Sequence, residues 1–154
     1  MALKFKMMQK IQFPSKIMGI LASKQEQEVH SSEYIKVLHG SLVQYFEHDK
    51  PYLDPDLTIM QVSRSLGTNK SYVARAIKLF EKVNYCTFVN HKRIEHALNE
   101  FRKRPDLRVN ELAYMSGFNS SSAFTIAFKK EFGVPPGEWC RNYRMDIQIK
   151  KCHR

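Results

Sequence analysis

The sequence predicts an all-α fold in which two helix-turn-helix segments are joined by a longer helix, and three observations carry that prediction. Apolar residues recur at three- and four-residue steps through most of the chain, and no stretch alternates convincingly at period two. A short amphipathic segment, a glycine and a capped second helix occur twice. Ile59/Val62/Leu66/Gly67 matches Val109/Leu112/Ser116/Gly117 at an offset of 109 − 59 = 50, and Val73/Ile77 matches Phe124/Phe128 at 124 − 73 = 51. The register therefore slips by one residue within the second turn or second reader helix. Between the copies, Ile94, Ala97, Leu98 and Phe101 make one continuous helical stripe.

Residues 1–30 mix lysines with Met, Ile and Phe, are broken by Pro14 and show no clean period. They read as a flexible arm or linker remnant, with an amphipathic arm lying on a partner or a membrane surface as the alternative. From Ser32 to about Asp49, Tyr34, Val37, Leu38, Leu42, Tyr45 and Phe46 predict one amphipathic helix that Ser31 or Ser32 can cap. Pro51-Tyr-Leu-Asp-Pro55 is a turn. The first helix-turn-helix spans about 58–80. Thr58 and Gln61 can form a capping box, Leu57 can staple onto Val62, Gly67 ends the helix, and Asn69 caps a second with Val73, Ile77 and Phe80 inward. The linker helix runs from about Thr87 to Lys103 and stops at Arg104-Pro105-Asp106. The second helix-turn-helix spans about 109–132: Gly117 ends its first helix, and Ser120 or Ser121 opens a reader lined by Phe124, Ala127, Phe128 and Phe132. Pro135-Pro136 starts a last helix through Trp139 and Tyr143, followed by a basic tail at 146–154.

Composition narrows the function. A length of 154 residues and 43% hydrophobic content suffice for one ordinary domain or two small ones sharing a spine, so wholesale disorder is not expected. The 25 Lys+Arg against 15 Asp+Glu leave a formal charge of +10, which favours polyanionic partners through counterion release. Cys86, Cys140 and Cys152 form no C-x-x-C pair and have no zinc-finger histidine, so they read as reduced thiols, with Cys86 and Cys140 packed. His30, His39, His48, His91, His96 and His153 form no metal-ligand pattern, and no nucleophile motif or phosphate loop occurs. Neither catalytic residues, nor metal, nor cofactor are expected. Ile17–Ala22 is the longest N-terminal apolar run and is too short to span a bilayer, and a cytoplasmic protein is the default.

A helix-turn-helix pair in so basic a chain points to duplex DNA. Readers entering successive major grooves sit about 34 Å apart, and a linker of about 17 residues at ~1.5 Å each supplies roughly 25 Å of that. On the first reader, the expected base contacts are Lys70, Ser71, Tyr72 and Arg75, the last able to donate two bonds to guanine O6 and N7. On the second they are Ser121, Ser122 and Thr125, with Ile126 able to touch a thymine methyl. Asn69, Lys78, Asn119, Lys129 and Lys130 are the expected phosphate contacts. Sharp reading at Arg75 and loose reading at the second site follow from those side chains.

Over about Ser32 to Arg144 the chain resembles the AraC/XylS family of bacterial transcription regulators, in its DNA-binding domain. The resemblance lies in Gly117-Phe-Asn, Phe124, Phe128-Lys-Lys-Glu-Phe-Gly-Val, Pro136 and Trp139, in Arg93-Ile94 with Ala97 and Leu98, and in Gly67 through Arg75 and Lys78. It implies seven helices, two homeodomain-like three-helix units on a long linker helix, and promoter binding that commonly activates transcription through RNA polymerase. Ile126 stands at the counterpart of Arg75, and Cys140 stands where an arginine is usual. The family's sensor (effector) domain has no room in the residues ahead of the match, so a stand-alone regulator or the output end of a larger protein is expected. The competing reading is a protein-interaction module whose basic charge is incidental.

Overall fold

The computed structural model describes the backbone of residues 15–152 and the side chains of residues 32–149. Seven α-helices and one 3-10 turn, with no strand, make up the described residues: α1 (Ser15–His48), the turn (Pro51–Leu53), α2 (Ile59–Ser65), α3 (Lys70–Phe80), α4 (Tyr85–Lys103), α5 (Val109–Met115), α6 (Ser121–Phe132) and α7 (Pro136–Cys152). The expectations for residues 1–14, for the side chains of His30, Ser31 and Cys152, and for the end of the tail lie outside the described residues.

The chain forms two compact units, residues 1–37 and residues 38–154. The first is helical wherever it is described. α1 begins at Ser15 instead of at Ser31 or Ser32, which lie inside the helix, where no terminal N–H needs a cap. Gln25-Glu-Gln-Glu28 are good helix formers and carry the helix through.

The second unit holds two helical halves, each with its own core. Leu42, Phe46, Val62, Val73 and Ile77 centre the first. Phe101, Leu112, Phe118, Phe124 and Phe128 centre the second, where Cys140 is also buried. Burial pushes the Cys140 thiol up, as suits a packed, unreactive sulfur. Cys86, expected to be packed, is exposed in the first turn of α4.

α4 joins the halves by changing its buried face. Phe88 and Val89 enter the first core, whereas Ile94, Ala97 and Phe101 enter the second. At about 100° per residue these two sets point to nearly opposite sides of the helix. The helix begins at Tyr85 instead of Thr87, because Oδ1 of Asn84 accepts from Thr87 N at 2.9 Å and caps it. The basic run expected as a tail after Tyr143 is helical through Cys152.

Two aromatics expected inward on α3 and α6 are not enclosed: Phe80 is 41% and Phe132 39% exposed. Each ends a reader helix, past the reach of the core. Phe80 stacks on His39 at 4.5 Å, and Phe132 on Phe128 at 4.7 Å. Tyr34, placed on the buried stripe of α1, is 41% exposed. Val37, assigned to the same stripe, is also exposed. It lies about 100° around the helix from Leu38, the start of the buried Leu38/Leu42/Phe46 row.

Candidate nucleic-acid interface

The two reader helices are set by local hydrogen bonds that their sequences specify. Thr58 N donates to Gln61 Oε1 at 2.6 Å and Gln61 N donates to Thr58 Oγ1 at 3.3 Å, closing the capping box of α2. Asn69 Oδ1 accepts from Ser71 N and Tyr72 N at 3.0 and 3.1 Å, and Ser120 Oγ accepts from Ala123 N at 3.1 Å. Asn69 is therefore committed to the end of its own helix through its carbonyl oxygen.

The one-residue slip between the halves falls in the turn. Thr68 N donates to Ser63 O at 2.9 Å, and Phe118 N makes the equivalent bond to Ala113 O at 3.0 Å, so the offset of 50 holds through Phe118. The helix caps, Asn69 and Ser120, stand 51 apart. Asn119 is the added residue; it is exposed and lies immediately ahead of the cap of α6.

With Val73 and Ile77 buried, Ser71, Arg75 and Lys78 form the middle of the outward face of α3, flanked by Lys70, Tyr72 and Ala74. All are exposed. On α6 the equivalent stripe, 51 residues on, is Ser122, Ile126 and Lys129. Ser121, Ser122, Thr125 and Ile126 surround one open, shallow depression. Ile126, at 71% exposure, is the most exposed large apolar side chain among the described residues.

The expected phosphate contacts separate. Lys78 and Lys129 share the stripes of the readers, and Asn119 precedes α6. Lys130 instead lies at the edge of α6 beside Thr87, Asn90 and His91 of α4, around a small cavity between the two helices. There Glu131 and His91 approach to 3.9 Å. Lys130 is thus further from the middle of the outward face than Lys129.

Two arginines hold the helix-turn-helix loops in place; the sequence names Arg93 only within the linker-helix resemblance, with no role attached, and gives Arg144 none. Arg93 is buried on α4, with Nε donating to Tyr52 O and Nη2 to Asp54 O, both at 2.8 Å. Arg144 on α7 donates from Nε to Pro105 O at 2.6 Å and from Nη2 to Leu107 O at 2.9 Å. Each grips the loop leading into its half's helix-turn-helix, and 93 + 51 = 144. Extending the repeat past the readers is the signal that would have found them. Burial lowers the Arg93 pKa, an effect opposed by Tyr85 and Asp54, and an arginine remains a cation under it. Burial likewise raises the neighbouring Tyr85 phenol to about 12.

Residues 62–142, more than half of the chain, match the helix-turn-helix domain family model of the AraC/XylS type. The chain belongs to the AraC/XylS family. Among its relatives, the Escherichia coli (strain K12) uncharacterized HTH-type transcriptional regulator YijO is 28% identical over 109 residues, 68% of this chain and 38% of that protein. The Bacillus subtilis (strain 168) uncharacterized transcriptional regulatory protein YesN is 29% identical over 90 residues, 57% of this chain and 24% of that protein. The chain thus spans well under half the length of both. The AraC/XylS-type fold is also seen in the crystal structure of the DNA-binding domain of AdpA, a global transcriptional factor, in complex with a target DNA. That likeness has a TM-score of 0.60 at 17% identity and covers 70% of this chain and 94% of that one. The AraC/XylS-type domain here is a double helix-turn-helix with α3 and α6 as the second helix of each unit. Among the described residues, no cluster of three or more His, Cys, Asp or Glu could hold a metal ion, and no helix is long and apolar enough to cross a membrane.

Proposed function

We propose that this chain is a sequence-specific regulator that binds double-stranded promoter DNA with α3 and α6 in two adjacent major grooves, and activates transcription through RNA polymerase. One observation supports the reading above all others: two similarly capped helices, 51 residues apart, each turn to solvent a stripe that opens on a serine and ends on a lysine. The chain's formal charge of +10 supplies the long-range attraction. The binding domain is residues 31–145.

The stripes differ in chemistry, so the two readers differ in role. Arg75, with Lys70, Ser71 and Tyr72 a turn before it, reads a guanine-containing subsite. The hydroxyls of Ser121, Ser122 and Thr125 make short or water-mediated contacts, and Ile126 meets a thymine methyl. The second subsite is held chiefly by phosphate contacts from Asn119 and Lys129.

Selection of bound fragments from random duplex DNA tests this directly. The expected motif has a sharp guanine-containing part and a degenerate part centred about 10–10.5 base pairs away. With six to ten phosphates contacted, affinity should fall on the order of 10³–10⁵-fold between 50 and 200 mM salt. A flat salt response would turn the assignment toward a protein-interaction module.

A further inference from the structure

We propose that Arg93 and Phe118 form an interlock between the two halves that sets the half-site spacing the protein accepts. The inference rests on the two-groove reading above and adds the residues that hold the readers in register.

Arg93 occupies the stretch of α4 where the buried face changes over, between Val89 of the first core and Ile94 of the second. Its guanidinium grips the turn of the first half through Tyr52 O and Asp54 O, with a longer contact to Pro55 O at 3.4 Å. The same guanidinium lies over the ring of Phe118, 5.5 Å from its centroid. Phe118 belongs to the turn of the second half and is 3% exposed. One buried cation thus ties the linker helix, the first half's loop and the second half's turn together.

Backbone packing at the same point leaves no slack. A Cβ built on Gly117 would lie 2.8 Å from both Cα and O of Leu53, and closer still to Tyr52 O. The turn of the second half is therefore seated directly on the 3-10 turn of the first. Arg144 shows what the local version of this device does. It holds its own loop through two carbonyls, but its guanidinium lies over Phe101, within the second core, at 5.1 Å. Only Arg93 of the pair reaches from one half to the other. A helix fixes distance and leaves hinge freedom where it enters each half; the close seating of Gly117 limits that freedom at the crossover, and the Arg93–Phe118 contact holds the seat closed.

The test compares operators with the selected spacing and with one base pair inserted or deleted between the half-sites, a displacement of about 3.4 Å and about 35°. The wild-type chain should lose at least about tenfold in affinity, because a misplaced half-site forfeits simultaneous engagement. Phe118→Leu, which keeps apolar volume, and Arg93→Lys, which keeps charge but cannot fork across two carbonyls, should bind the selected operator more weakly. Both should lose less than about threefold on changing its spacing, with base preference within each half-site unchanged. A spacing penalty as steep in both variants as in the wild type overturns the interlock while leaving the two-groove reading intact. A flat spacing response in the wild type overturns the two-groove reading, and the interlock with it. If neither variant folds, residual dipolar couplings of the unaltered chain decide: residues 38–80 and 105–149 should share one alignment tensor, and two independent tensors overturn the proposal.

Discussion

Gly117→Ala should destabilise the protein far more than Gly67→Ala, although the two glycines occupy the same place in the two turns. Gly67 has φ 61° and Gly117 φ 81°, so an alanine at either sits in the left-handed region at a cost of about 1–2 kcal/mol. At Gly67 nothing lies within 4 Å of a built Cβ, and the loss should stop there. At Gly117 the new methyl meets backbone of Tyr52 and Leu53, atoms that cannot rotate away as a side chain can. The 3-10 turn must shift, and Tyr52 O is the acceptor of the 2.8 Å bond from Arg93 Nε. Losing a bond to a charged group adds about 1.5–3 kcal/mol, for a sum of about 2.5–5 kcal/mol. Against a total stability of about 5–15 kcal/mol, the Gly117 variant should be marginal and the Gly67 variant comfortably folded. Urea unfolding of both variants at constant m-value measures the difference. Equal losses would refute the claim that the two turns are wedged together, and Gly117→Val should exceed both.

Arg75→Ala should weaken specific binding by about 1–3 kcal/mol and relax preference at one base pair; a loss uniform across all sequences would reassign Arg75 to a phosphate. Lys129→Ala should reduce the magnitude of the salt slope by about one without changing sequence preference. Lys130→Ala, turned toward α4, should reduce it less, and the reverse order in a salt titration would contradict the placement of the two lysines. His96 is half-buried, and burial holds its pKa below the ordinary histidine value of 6.5, against an opposing pull from Glu100. The unfolded chain therefore binds the proton more readily, so stability is full above pH 6.5 and declines as pH falls below it. His96→Gln should flatten that decline in thermal melts taken across the acid range, and an unchanged slope would show that His96 is not its source.

Much of the reader geometry was legible because it is local. The bonds of Thr58 with Gln61, of Asn69 with Ser71 and Tyr72, and of Ser120 with Ala123 each span three residues or fewer, so residue type and spacing suffice to find them. The outward stripe on α3 follows from the burial of Val73 and Ile77. Helix ends were less legible. Periodicity faded upstream of Ser32 although the residues there favour a helix, and Asn84 started α4 two residues before its first expected position. Phe80 and Phe132 show the limit of periodic reading: both are in phase with a buried stripe, yet whether the core extends that far depends on what packs over the helix end.

The sequence by itself determined the all-α class, the double helix-turn-helix, the uneven chemistry of its two reader faces and the family to which it belongs. Each of those is written in spacings of a few residues or in a repeat that can be counted. Tertiary structure alone decided that Asn119 is the added residue, that α4 reverses its buried face, and that a charged side chain at position 93 is interior. The carbonyls that accept from Arg93 lie 39 and 41 residues away, and the ring over which it rests lies 118 − 93 = 25 residues away. No local pattern encodes such partners, because a buried arginine is stabilised only by groups that folding brings to it.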